Sequence, residues 1–313
     1  MSRTPGPTSC GSRKPLVTAW YDKAGGKGAR LSFLDPQTAI PGDPAGGIAW
    51  YKYHLYVADT LNGLRVFDMR SILDLNPDQN ASVDDTTLDG LRSNVRGETR
   101  IGRQNNVYYG HTCRYVMPQV ASYEFVRAQG NSPAATCVAT GEPKASYISA
   151  DRSDSAAPAL IMGEYCDPDD THPEKGRVGA LPIDDATGLL KSTNGVVGAT
   201  GAFHLPRDLT QGAARYDGMY YFNRSWTTHS GSLRRATVFE GRLVDHGANI
   251  TYAVGPEDLS FEHGQGVPGG GTQYLWSLTE HRMDTTDPTC TDPGSPCGRV
   301  IYAHRVTDIL ARP

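Results

Sequence analysis

The sequence predicts an all-β fold: a single β-propeller of six four-stranded antiparallel blades, with five blades as the alternative. Three observations carry that prediction. Helical periodicity is nearly absent along the 313 residues. Thirty-five glycines and 21 prolines punctuate the chain, leaving short runs rich in Val, Tyr, Leu and Ile between turns. A grammar of strand, tight turn, strand, tight turn, strand recurs at intervals of about 40–60 residues, which suits propeller blades.

The copies run in order along the chain. A partial one covers residues 16–22 and 28–35. The clearest begins at Gly46-Gly47-Ile48-Ala49-Trp50-Tyr51, continues through residues 54–60, turns at Leu61-Asn62 and ends with residues 63–68. Glycine-opened strands start at 28, 63, 176, 231 and 298, and from 63 onwards the gaps are 113, 55 and 67 residues. The doubled gap predicts one more, divergent blade around residues 114–123. Another copy spans residues 146–151, 159–165 and 176–183, the next 211–216, 219–225 and 231–238, and the last 257–261, 273–280 and 298–306. A blade cannot cover both of its faces alone, so blades stack around an axis. The last copy stops after its third strand, which predicts that the N-terminus closes that blade. Helical turns are expected only at residues 70–75 and 306–310. Residues 1–15 read as an N-terminal extension and 16–313 as the propeller.

Composition narrows the function classes. Thirty basic and 34 acidic residues give a net charge of −4, with no basic stripe for nucleic acid or an anionic membrane surface. Apolar runs such as Ala159-Leu160-Ile161-Met162 are far too short to span a bilayer. Six cysteines without a CxxC motif form the pattern of structural disulfides, hence of an exported protein. Several pairings are open; the irregular segments they flank favour Cys290–Cys297 and Cys113–Cys137, leaving Cys10 with Cys166. The opening Met1-Ser2-Arg3-Thr4-Pro5 has no apolar leader and reads as the start of a mature, secreted form. A monomer with a small-molecule or saccharide ligand is expected.

The blade grammar, clearest in Tyr56-Val57-Ala58-Asp59-Thr60-Leu61-Asn62-Gly63-Leu64-Arg65-Val66-Phe67-Asp68, resembles that of NHL-type and related β-propellers, over residues 16–306. The resemblance implies a fold and a place, one end of a central channel, where ligands of such proteins sit. That superfamily includes lyases, lactonases, glycosidases, lectins and scaffolds, and no family-wide catalytic motif stands in this chain, so no residue role carries over.

Aligned copies put Gly46-Gly47, Ser146-Tyr147, Gln211-Gly212 and Glu257-Asp258 at the starts of the inner strands, lining the channel mouth. A buried polar group without a partner costs about 1–3 kcal/mol, so Tyr147 and Gln211 read as ligand contacts. Glu257 and Asp258 are adjacent, so on a strand they face opposite ways and only one points inward, whereas at the turn after Gly255-Pro256 both reach solvent. The functional reading is a general acid, base or metal carboxylate. Strand-end turn chemistry uses the same residues. The ends of the second strands carry Asp59, Glu164, Arg224 and Glu280, while Asp151 and Arg152 close a first strand. Carboxylates brought to about 5–10 Å would suit glycoside hydrolysis or lyase chemistry; inter-blade ion pairs are the plain alternative. His204 leads into the strand at Gln211 and is the expected proton-transfer histidine. Arg152, Gln119 and Trp226 complete the expected substrate contacts, Trp226 by stacking.

No GxSxG, HExxH or Walker motif is present. Asp74-x-Asn76-x-Asp78 imitates the start of an EF-hand loop, but Pro77 interrupts it and Gln79 stands where the sharp turn needs Gly. A structural Ca²⁺ is the ion that loop suggests, and no other cofactor is required. The expectation is a secreted propeller enzyme using Glu257, Asp258, Glu164 and His204 for hydrolysis, elimination or isomerisation of a saccharide or small natural product. A non-catalytic carbohydrate- or protein-binding propeller is the alternative. The loops differ between copies, which favours one asymmetric site.

Overall fold

Strands begin where a glycine or proline turn gives way to β-branched and aromatic residues, whose side chains fill a pleated, half-buried surface. The computed structural model describes residues 17–21, 28–34, 45–74, 101–104, 107–110, 115–126, 137, 143–168, 175–226, 230–247, 250–262, 274–279 and 300–311. The first strands are β1 (Val17–Tyr21), β2 (Gly28–Leu34), β3 (Ala45–Tyr51), β4 (His54–Asp59), β5 (Gly63–Asp68), β6 (Leu73–Asp74), β7 (Ile101–Gln104), β8 (Val107–Gly110) and β9 (Tyr115–Glu124). They are followed by β10 (Tyr147–Asp151), β11 (Ala159–Gly163), β12 (Arg177–Pro182), β13 (Gly201–His204), β14 (Thr210–Tyr216), β15 (Met219–Arg224) and β16 (Ser230–Phe239). The last are β17 (Arg242–Asp245), β18 (Ile250–Val254), β19 (Pro256–Phe261), β20 (Tyr274–Thr279) and β21 (Ile301–Arg305). Among the described residues, helix is confined to a 3-10 turn at Met69–Ser71 and to α1 (Val306–Leu310), at the two places where the sequence allowed it.

Two compact units form, one from Met1–Pro44, Tyr53–Leu55 and Arg65–Ser122, the other from Ala45–Lys52, Tyr56–Leu64 and Tyr123–Pro313. In the first, β1 and β2 make an antiparallel hairpin from Val17↔Ser32 to Tyr21↔Gly28. β2 runs parallel to β9, Leu31 opposite Tyr115, and β6 lies antiparallel to β9, Leu73 opposite Val116. β7 and β8 form a second hairpin. The carboxylate of Asp68 caps the 3-10 turn by accepting the Arg70 N–H at 2.9 Å.

The second unit is a propeller-like arrangement of four blades. Four inner strands, β3, β10, β14 and β19, pack against one another, and each begins an antiparallel sheet. Residues 56–59 of β4 and 63–64 of β5 continue the sheet of β3 here. The second sheet is β10-β11-β12-β13, the third β14-β15-β16-β17 with β18 on the other part of β16, and the fourth β19-β20-β21.

Alternation along each strand builds the core between blades. On β15, Tyr220 and Phe222 turn one way, packing with Tyr147, Ile161 and Val178 of the second blade. Tyr221 between them turns the other way, towards Leu259, Phe261 and Leu275 of the fourth. Ala213 and Ala214 divide the same way on β14. Tyr220 and Phe222 stack with centroids 6.0 Å apart, and Tyr221 meets Phe261 edge-on at 5.0 Å. Each such ring removes enough apolar surface to contribute about 1.5–3 kcal/mol. Val306 and Ile309, three apart on α1, lay that helix on the third and fourth blades.

The structure corrects four expectations. There are four blades of three to five strands, neither six nor five. The partial copy at 16–35 is the hairpin β1-β2, and the divergent copy at 114–123 is a single ten-residue strand, β9, with a parallel neighbour; a hairpin-linked blade cannot contain a parallel step between consecutive strands. The fourth sheet is β19-β20-β21, and β1 pairs with β2 instead of closing it. Cys137 pairs with Cys166, Cα atoms 5.8 Å apart, which replaces both Cys113–Cys137 and Cys10–Cys166. Cys166 lies three residues beyond β11, and the Cys137 sulfur lies 3.3 Å from the Tyr165 carbonyl, so folding brings together two segments that linear spacing kept apart. Cys10, Cys113, Cys290 and Cys297 lie outside the described residues.

The bridge closes a 29-residue separation, for which chain entropy alone gives about 3–4 kcal/mol. A Cys137→Ser/Cys166→Ser double variant should lose stability of that order in urea unfolding. An unchanged midpoint would show that the bridge contributes nothing.

Candidate functional site

Antiparallel pairing sends the start of each inner strand and the end of its neighbour to the same end of a blade. Tyr147 opens β10 opposite Gly163, Thr210 opens β14 opposite Arg224, and Pro256 opens β19 opposite Thr279. β14 and β19 both break register there, β14 between Thr210 and Gly212 and β19 between Pro256 and Leu259. Those bulges hold Gln211, Glu257 and Asp258. A bulge re-aims side chains that strict alternation would send to opposite faces.

The result is a polar cluster where the inner strands meet. Gln211 Nε2 donates to Glu257 Oε1 at 2.6 Å. The Glu257 carbonyl accepts from Ser277 Oγ at 2.9 Å and from the Asn223 amide. Asp258 Oδ2 accepts the Ile48 N–H of β3 at 3.3 Å. Its carboxyl occupies the space in front of Gly47: a Cβ there would stand 2.7 Å from both oxygens and 2.9 Å from the Ile148 nitrogen of β10. Asp258 thus touches two neighbouring inner strands.

Burial pushes the Asp258 carboxyl well above the usual carboxylate range, and the N–H groups of Ile48 and Ile148 offset this only in part. The group is a neutral acid over a range where an exposed Asp is charged. Its Oδ1 is sealed from solvent and makes no hydrogen bond, as are the Tyr147 hydroxyl and the Asn223 side-chain oxygen. Burial also raises Tyr147, and the nearby Glu164 and Asp258 charges add to it. Buried orphans of this kind are uncommon, because each forgoes a hydrogen bond to water.

The other expected residues are distributed around this centre. Glu164 is buried just beyond β11 and held by Arg177 through two contacts of 2.8 Å, with the Lys144 N–H donating at 3.0 Å. The guanidinium keeps its proton more firmly because of Glu164. His204 faces Arg177 across the pair of β12 and β13; it is exposed at the same end of the second blade, on its outermost strand. Arg152 lies at the opposite end, beyond Asp151, where it donates to the Trp50 carbonyl and covers the Tyr51 ring at 5.2 Å. Beside it Asp151 pairs with Arg215 at 2.5 Å. Gln119 belongs to the first unit, on β9, and accepts from Arg65 at 3.3 Å. Trp226 is 38% exposed, with the Arg224 guanidinium over its ring at 4.2 Å.

Asn223 and Ser277 were not singled out from the sequence. Each is a polar residue buried in an otherwise apolar second strand, and that interruption is the signal that could have found them. Asp74 sits on β6, while Asn76, Asp78 and Glu280 lie outside the described residues. Among the described residues no group of three His, Cys, Asp or Glu side chains could hold a metal ion.

Two measurements probe the centre. Gly47→Ala must displace the Asp258 carboxyl or the β10 backbone, at a cost of about 1–3 kcal/mol. Gly198→Ala meets nothing within 4 Å and should be neutral to within about 0.5 kcal/mol; equal effects would remove the packing argument. The second uses pH. The folded Asp258 carboxyl titrates above its unfolded value, so its contribution is fully present below about pH 4 and is lost as pH rises towards the folded value. Asp258→Asn removes that loss. Its stability relative to wild type should therefore climb with pH from about 4 upwards, by at most about 1.4 kcal/mol per unit, and a flat difference would mean that the buried carboxyl ionises freely.

No protein-family model matches this chain, and no curated protein matches its sequence.

Proposed function

We propose that the chain is a secreted propeller enzyme of the NHL-like kind, whose site lies where β3, β10, β14 and β19 meet. There Asp258 acts as proton donor in hydrolysis, elimination or isomerisation of a saccharide or small natural product. The single observation behind this reading is the half-buried Asp258, whose carboxyl is pushed well above the usual carboxylate range by desolvation and whose solvent-shielded Oδ1 has no partner. A carboxyl that holds its proton more firmly than an exposed Asp does is what general-acid chemistry needs. Glu257, oriented by Gln211, is the second carboxylate and the candidate base; hydrolysis or elimination calls for one group that gives a proton and one that takes it. The Tyr147 hydroxyl and the Asn223 oxygen are further groups that a polar substrate would satisfy. The blade grammar of residues 56–68 supports the kinship, and the Cys137–Cys166 bridge supports export, since such bonds persist in oxidising compartments. Glu164, locked by Arg177, and His204 stay outside the chemistry in this reading.

The reading is tested on a panel of oligosaccharides, following new reducing ends and the ultraviolet absorbance of unsaturated products. Wild type should turn over at least one of them. Asp258→Asn should lower kcat by about 10²–10⁴ while leaving the folded state intact by circular dichroism, and Glu257→Gln should do likewise. Both variants working at the wild-type rate would refute the assignment. Binding of saccharides by wild type with no product formed would favour the non-catalytic reading.

A further inference from the structure

Beside the central cluster the third blade carries a cavity of about 380 Å³, lined by Arg207, Arg224, Trp226, Ser232, Arg234 and Thr251 among others. Asp245 Oδ2 is shared by Arg234 at 2.8 Å and Arg207 at 3.1 Å, and Asp208 takes Arg224 at 2.7 Å. Burial alone would raise the Asp245 carboxyl, but Arg234, the Gly247 N–H and Arg207 outweigh it and hold it below its ordinary range, so it remains an anion. Among the described residues, three guanidiniums of this wall, Arg207, Arg224 and Arg234, are held by the two carboxylates Asp208 and Asp245. Arg224 Nε is shielded from solvent and has no hydrogen-bond partner. Arg224 also stacks on Trp226, whose indole remains 38% exposed.

We infer that this cavity takes one sugar ring bearing a single anionic group, a carboxylate or a sulfate ester. The three clustered guanidiniums, with their fork geometry and the unpartnered Arg224 Nε, recognise the anionic group. The exposed indole offers a flat apolar surface to the ring, and Ser232 and Thr251 supply hydroxyl groups for its polar edge. The cavity adjoins the proposed catalytic centre: Gly231, also in its lining, packs against Pro256, the residue before Glu257, and the Gly255 N–H donates to the Trp226 carbonyl at 3.1 Å. An acidic unit held here places the neighbouring unit of a saccharide chain towards Glu257 and Asp258. The inference rests on the proposed function for the meaning of that placement, but binding itself is measured without turnover.

Titration calorimetry decides it, using a galacturonate hexasaccharide, a κ-carrageenan hexasaccharide and neutral cellohexaose. At least one acidic probe should bind while cellohexaose does not, and which of them binds tells carboxylate from sulfate ester. Added salt should weaken the binding. Arg224→Gln and Trp226→Ala should each weaken it by about tenfold or more; Trp226, being exposed, is replaceable without disturbing the core. Failure of both acidic probes to bind, equal binding of the neutral one, or unaltered affinity in both variants overturns the inference. Acidic binding that survives in Asp258→Asn without any turnover by wild type leaves this inference standing and removes the catalytic reading instead.

Discussion

The arrangement of the four inner strands depends on one placement, that of the Asp258 carboxyl between Gly47 of β3 and the Ile148 nitrogen of β10. A side chain from the fourth blade reaches this gap only because β19 bulges at its start, and the gap exists only because residue 47 has no Cβ. Three local features, a bulge, a glycine and a carboxyl, thus specify one another. The carboxyl contributes through hydrogen bonds that are only partly made, and its burial keeps it neutral. A hydrophobic residue of the same shape would avoid that desolvation cost but would leave the N–H of Ile48 without an acceptor.

Two kinds of polar site result from the same geometry. At the convergence of the inner strands, low solvent access keeps an acid uncharged and leaves oxygen atoms unsatisfied. One strand outwards, at the end of β15 and the start of β16, arginines are held in place by Asp208 and Asp245. The first favours proton transfer and the second favours attraction of an anion; the contact of Gly231 with Pro256 keeps them adjacent. By contrast, Glu164 with Arg177 and Asp151 with Arg215 are fully matched pairs, which tie strands together and leave no charge to offer a ligand.

Much of the second unit was legible in the sequence. The run 219–225 was read as a strand, and the structure divides its rings Tyr220, Tyr221 and Phe222 between two cores. The aligned starts of the inner strands do meet, so that Gln211 reaches Glu257 and Asp258 reaches Gly47. Blade number was not legible, because a run of strand residues looks alike whether it pairs antiparallel within a meander or parallel with a distant strand, as β9 does with β2. Nor was the Cys137–Cys166 bridge, since linear spacing says nothing of a segment that folds back against the end of β11.

The amino-acid order by itself determined the all-β class, the short strands and their turns, the one helical turn at the C-terminus, and the shortlist of polar residues at strand starts. These follow from local backbone preferences and from the two-residue period of a strand, both carried by neighbours in the chain. Only the tertiary structure decided that there are four blades, that Asp258 is the buried acid while the adjacent Glu257 bonds to Gln211, and that Arg224 and Trp226 wall a cavity with Arg207 and Arg234. Those outcomes depend on register, bulges and burial, which arise between segments far apart in sequence and are set by which faces of neighbouring sheets can close on each other.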